Sequence, residues 1–201
     1  MRSIVWQQSS YVFLRMRSLV LRIFIFQNAH TCIPKAGVCV LTEQEKRLHR
    51  CCFTGHRPEK LNSTEEEIKK ALLVEVNNAI HDEYITFISG MARGVDIWAA
   101  ELVLELRNSG APIHLICAMP FNDFEQRWPV AWQQRYKTIL QSADLVRFIA
   151  KEYHISTYQR RNEWMIDHSN RVIAVYNGSS GGTRNALEYA QKKEIETRLA
   201  I

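Results

Sequence analysis

Two stretches of the chain place glycines directly before a helix-forming run: "SGMARGVD" (Ser89–Asp96) and "NGSSGGTR" (Asn177–Arg184). Gly90 and Gly94 in the first, and Gly178, Gly181 and Gly182 in the second, permit positive φ and close backbone approach to a ligand. The first amides of a helix can face an anion. Successive amides in the second stretch form a candidate anion nest, with Thr183 capping the helix or binding the ligand. Neither spacing is G-x-G-x-x-G or Walker A. Asp96 complicates the first cradle. It favours the helix dipole and repels phosphate, yet it can accept hydrogen bonds from a ribose or a base.

Three further stretches carry usable chemistry. In "TGHRPEKL", Thr54 and Gly55 allow a tight exit, and His56 and Arg57 then present polar groups. In "STYQRRNEWMIDHS", Tyr158, Arg161, Asn162 and Met165 recur at helical intervals and share one face. An aromatic, a cation and an amide together suit adenine or a nucleotide, whereas Arg160 falls on a different, solvent-facing side. In "AMPFNDFEQRW", Phe121, Phe124 and Trp128 are core or flank a planar ring, with Gln126 and Arg127 beside them. Each stretch alone also reads as a plain turn or a solvated face. No Ser-His-Asp set and no metal-ligand cluster is evident, and His56 has no partner legible in the sequence.

These stretches follow apolar runs that read as strands: Arg50–Thr54, Tyr84–Ile88, Ile113–Ala118, Leu145–Ile149, Arg171–Tyr176 and Ile195–Ile201. Helical patterns alternate with them over Ser63–His81, Val95–Arg107, Pro129–Ser142, Ser156–Asp167 and Thr183–Lys192. Ser63 with Glu66, and Ser156 with Gln159, have capping-box spacing. Pro129 suits a first helical turn. The alternation predicts an α/β fold, a Rossmann-like three-layer domain with a mostly parallel sheet and helices on both faces. Ligands of such sheets bind beyond the carboxyl ends of the strands, which is where all five stretches fall.

The chain has 201 residues, 46% of them hydrophobic, enough for a core. Its net charge of +5 is local. Residues 1–42 hold five bases and no acid, so the remaining 21 bases balance 21 acids. The body is neutral, which argues against a broadly basic nucleic-acid surface. Residues 1–42 are therefore read as an N-terminal extension, unstructured or lying before the natural start near Leu41. Their acid-free, arginine-containing composition also fits a transit or membrane-surface segment. Arg15, Arg17 and Arg22 interrupt the apolar run, so no membrane span is expected. Residues 43–201 form the Rossmann-like domain. The five cysteines, Cys32, Cys39, Cys51, Cys52 and Cys117, include no C-x-x-C pair. They read as reduced thiols of a cytoplasmic protein.

In order along the chain, "TGHRPEKL", "ISGMARGVDIWAAELVLEL", Tyr136 and Asp144 with their neighbours, "RRNEWMID" and "GSSGGTRNALEYA" resemble the YpsA-like family of the SLOG superfamily, from about Arg50 to the C-terminus. The resemblance implies a bacterial protein that binds a nucleotide or nucleotide-derived ligand at strand-end glycine turns. It implies a sensor or regulator and no established enzymatic activity. The ligand-binding set it points to is Gly55, His56, Arg57, Ser89, Gly90, Gly94, Asp96, Trp98, Tyr158, Arg161, Asn162, Gly181, Gly182 and Thr183. Arg57 and Arg161 would neutralise phosphate, Asp96 would accept from ribose, and Tyr158 or Trp98 would lie near the base, Trp98 reading equally as core. The expected ligand is a nucleotide or an ADP-ribose-like compound, with a protein partner and a homo-oligomer as further candidates. Two relatives supply alternatives. "SGMARGVD" is similar to a turn of DNA-processing protein A, which implies single-stranded DNA binding. "GGTRNALE" is similar to cytokinin-activating phosphoribohydrolases, which implies N-glycosidic hydrolysis with Glu188 as the candidate catalytic residue. The hydrolase pattern is only partly met, because no proline precedes the glycines.

Overall fold

Cys51, Cys52 and Phe53 are all buried, as are all five residues of Arg171–Val175. Strands buried on both faces need helices on both sides of their sheet. The computed structural model, which describes residues 41–201, shows that arrangement. Strands β1 (Arg50–Gly55), β2 (Thr86–Ser89), β3 (His114–Met119), β4 (Leu145–Phe148), β5 (Arg171–Val175) and β6 (Glu196–Leu199) form one sheet in the order β4-β3-β2-β1-β5-β6. Every neighbouring pair is parallel. The expectations for residues 1–40, with Cys32 and Cys39, lie outside the described residues.

Helices α1 (Glu43–Leu48), α2 (Glu65–His81), α3 (Val95–Asn108), α4 (Val130–Ser142), α5 (Thr157–Asp167) and α6 (Gly182–Lys192) connect the strands. The helix α1, with Thr42 and Glu45 as a capping box, was not anticipated. On one face, α2, α3 and α4 cover Phe53, Phe87, Leu115 and Ile173. Phe53 and Phe87 stack across β1 and β2 at 5.9 Å. On the other, Met165 and Ile166 of α5 and Ala186 and Ala190 of α6 cover Cys52, Ile88, Ile116 and Val172. Each large apolar side chain so buried stabilises the fold by about 1.5–3 kcal/mol. Cys51, Cys52 and Cys117 are free and buried, and burial pushes Cys52 and Cys117 up to about 12, so their thiols stay protonated.

Several local expectations shift by a residue or two. The cap of α2 is Thr64 with Glu67, not Ser63 with Glu66. Ser156 makes no cap bond; instead the Thr157 hydroxyl accepts from the His154 amide at 2.9 Å. Tyr84 stays out of β2 because its amide closes the end of α2 on the Ala79 carbonyl.

The topology decides where the site lies. From β1 the chain winds outward through β2 and β3 to β4, then crosses back to place β5 against the other side of β1. The direction of winding reverses between β1 and β5, so their connections diverge and leave a crevice at their carboxyl ends.

Candidate functional site

The β1 side of the crevice begins at Gly55. A Cβ there would sit 2.5 Å from the Val95 side chain, so only glycine lets β1 exit against the start of α3. His56 follows and is 4% exposed. Its ring packs against Tyr176, with centroids 5.5 Å apart. Its Nδ1 lies 3.4 Å from the Thr183 hydroxyl and its Nε2 3.4 Å from the Ser179 hydroxyl. Burial, then the charge of Lys60, holds the imidazole below its ordinary pKa. A neutral ring donates through one nitrogen and accepts through the other. One of the two hydroxyls therefore donates to His56 and the other receives from it.

The loop after β5 closes over this histidine. Asn177 Oδ1 accepts from the Ser179 amide at 3.0 Å, and Asn177 Nδ2 donates to the Lys60 carbonyl. Lys60 Nζ donates to the Ser180 carbonyl at 3.2 Å, tying the β1 loop to the β5 loop. Gly181, at φ +140°, precedes α6 with no side-chain cap. The first amides of α6 are thus left for solvent or a ligand. The Thr183 side chain faces His56 and caps nothing. Arg57 is exposed and forms no ion pair among the described residues.

The β2 side is closed upon itself. The Ser89 hydroxyl donates to the Asp96 carbonyl at 2.8 Å and accepts from the Met91 amide at 3.1 Å. Asp96 is 6% and Arg161 5% exposed. Asp96 Oδ2 accepts from the Ala92 amide at 3.2 Å and from Arg161 Nη1 at 3.3 Å. Arg161 Nη1 also donates to the Gly90 carbonyl, and its Nε has no partner among the described residues. Burial pushes the Asp96 carboxyl up, opposed by the Arg161 charge and the Ala92 amide. A Cβ on Gly90 would collide with the Arg161 guanidinium and lie 2.7 Å from Asp96 Oδ2. Gly94, at φ +93°, joins the two sides: a Cβ there would lie 2.9 Å from the His56 carbonyl and 2.8 Å from Pro58 Cδ.

The expected ligand-binding residues therefore divide. Gly55, His56, Arg57, Gly181, Gly182 and Thr183 gather at the β1–β5 crevice. Asn162 joins them, its Nδ2 donating to the Gly182 carbonyl at 3.4 Å. Ser89, Gly90, Gly94, Asp96 and Arg161 form the adjoining wall. There the expected phosphate cation and ribose acceptor pair with each other instead, both being buried away from water. Trp98 is core: it is 3% exposed and packs on Trp132 at 6.0 Å. Tyr158 is half-buried at the strand-end edge. Glu188 is exposed on α6 and paired with Arg184 at 2.8 Å, with no contact to the crevice residues. Lys60, Tyr176, Asn177 and Ser179 were missed as site residues. Their partners lie 117 or more residues away along the chain, and no sequence spacing encodes that. Among the described residues, no three metal-binding side chains converge.

Comparison with known proteins places the geometry in context. Residues 51–201 match the YspA SLOG family. The SPβ prophage-derived protein YoqJ of Bacillus subtilis is 35% identical over 151 residues, 69% of this chain and 88% of YoqJ. A UPF0398 protein of Bacillus cereus is 31% identical over 153 residues, 71% of this chain and 83% of its own. Among solved structures, DNA processing protein A from Helicobacter pylori, described for its single-stranded DNA binding mode, superposes with a TM-score of 0.54. That match is 18% identical and covers 85% of this chain and 78% of the other, so it speaks to the fold.

Proposed function

Because the chain belongs to the YspA SLOG family, we propose that it binds a nucleotide or nucleotide-derived ligand in the β1–β5 crevice, as a cytoplasmic sensor or regulator. One observation carries the reading. At the switch point the uncapped start of α6 and the hydroxyls of Ser179 and Thr183 line the β5 side of the crevice, and Arg57, without an ion pair among the described residues, follows His56 on the β1 side. The amides there, and the hydroxyl that accepts from His56, donate to phosphate oxygens, and Arg57 supplies the opposing charge. The Asp96–Arg161 pair acts on the ligand by shaping the neighbouring wall. Tyr158 marks the side on which a base would lie.

Calorimetry and thermal shift against AMP, ADP, NAD, ADP-ribose and ribose 5-phosphate test this. A ligand at a hundred times its Kd stabilises the fold by about 2.7 kcal/mol. A folded sample stabilised by none of them overturns the proposal.

A second reading, single-stranded DNA, draws on the exposed Arg57, Lys151 and Arg160. All three follow strands at the carboxyl edge and lack ion pairs among the described residues. Oligonucleotide binding that falls steeply with salt, without response to free nucleotides, would favour it.

A further inference from the structure

The aromatic residues beyond β3 and β4 separate into two groups. Phe124, Trp128 and Tyr136 pack edge to face at 5.0, 5.6 and 5.7 Å, with Phe124 and Tyr136 buried in the core and Trp128 half-buried against it. Phe121 touches Phe124 at 6.0 Å, and on its other side meets Tyr153 at 5.5 Å and Tyr158 at 5.9 Å. Tyr153 and Tyr158 meet at 6.5 Å, closing a triangle of rings. Tyr153 nevertheless remains 63% exposed, and its neighbour Ile155 is 83% exposed. Neither tyrosine hydroxyl makes a hydrogen bond among the described residues. Two rings are thus anchored by aromatic contacts to the core while the third stays open to solvent.

Position gives this cluster meaning. Phe121 follows β3, Tyr153 follows β4 and Tyr158 opens α5, so all three lie at the carboxyl edge. Tyr158 precedes Arg161 by three residues, about 4.5 Å along the helix and on the same face. Arg161 in turn holds the Gly90 carbonyl. The aromatic triangle therefore begins one helical turn from the glycine wall. Near it in sequence lie the exposed bases Lys151 and Arg160, without ion pairs among the described residues, and the exposed acids Asp123 and Glu152.

We propose that Phe121, Tyr153 and Tyr158 form a stacking platform for the nucleobase of the ligand whose phosphate the β1–β5 crevice takes. This rests on the nucleotide reading above and narrows it. Strands lie about 4.8 Å apart, and the platform sits about three spacings, ~14 Å, from that crevice. A single ribose phosphate does not span that distance with its base attached. A diphosphate-bridged nucleotide does, and so does a step of single-stranded nucleic acid.

The test compares ADP-ribose, ribose 5-phosphate and a thymidine hexanucleotide by calorimetry on the whole chain. Tyr153→Ala should weaken ADP-ribose by about fivefold to a hundredfold, the range seen when a base-stacking aromatic is truncated. It should leave ribose 5-phosphate unchanged, and Tyr153→Phe should retain wild-type affinity. Should Tyr153→Ala fail to fold, Tyr153→Leu keeps the apolar contact and removes the aromatic face. A Tyr153-dependent loss for the hexanucleotide and not for ADP-ribose supports the platform and assigns its base to a single strand. If Tyr153→Ala leaves both ADP-ribose and the hexanucleotide unchanged, or if it weakens ribose 5-phosphate as much as either, the platform is overturned and the crevice reading stands. If wild type binds none of the three, the platform is overturned, and if AMP, ADP and NAD also fail, the crevice reading falls with it.

Discussion

The two glycine turns look alike as sequence and differ as structure. After β2, the groups that promise chemistry, Asp96 and Arg161, neutralise each other behind Gly90. After β5, the turn carries hydroxyls, amides and glycines, with neutral His56 beneath and cations at its rim. The first turn is spent on architecture, and the second is the one proposed to bind. A charged side chain beside a glycine turn is thus a weaker pointer to a ligand than an uncharged turn whose amides stay unspent. Burial makes the difference: a carboxylate and a guanidinium removed from water must find each other.

The largest expected effect breaks the closed wall. Arg161→Met leaves Asp96 buried without its counter-charge and should cost about 3–5 kcal/mol by urea unfolding. Adding Asp96→Asn should recover part of that loss; a double variant no more stable than Arg161→Met would mean that the pair is not the source. Next comes the seam between the walls. Gly94→Ala forces a side chain into φ +93° against the His56 carbonyl and should cost about 3 kcal/mol. An unchanged unfolding midpoint would separate the two turns mechanically.

The third effect belongs to the open turn. The folded pKa of His56 is lowered. As pH falls below the ordinary imidazole value, the unfolded chain protonates first, and the folded state loses stability until the lowered pKa is passed. Above that window the contribution is complete. Urea midpoints taken between about pH 7.5 and 5 should show this slope, and His56→Gln should flatten it. The smallest effect on stability is the most telling for binding. Arg57→Ala should shift unfolding by no more than about 0.5 kcal/mol, yet weaken every phosphate-bearing ligand. If it destabilises the fold as Arg161→Met does, the contrast between the turns fails.

The strand–helix alternation was legible because strands buried on both faces are continuous apolar runs and the helices repeat every three to four residues. Boundaries slipped where a backbone amide had two possible uses, as at Tyr84, which closes α2 instead of joining β2. At the site, the glycines, His56, Arg57, Asn162 and Thr183 were readable from their stretches. Trp98 was not, since an aromatic in a helix's first turns faces core or ligand according to what packs above it, here Trp132.

By itself, then, the sequence determined the elements, the parallel class of the sheet and the edge at which the candidate site lies. These depend on local periodicity and on turn chemistry within a few residues. Only the tertiary structure decided that β5 lies against β1, that His56 meets Ser179 and Thr183, and that Arg161 is consumed by Asp96. Those pairings join residues 65 to 127 positions apart, and they follow from strand order, which local periodicity does not encode.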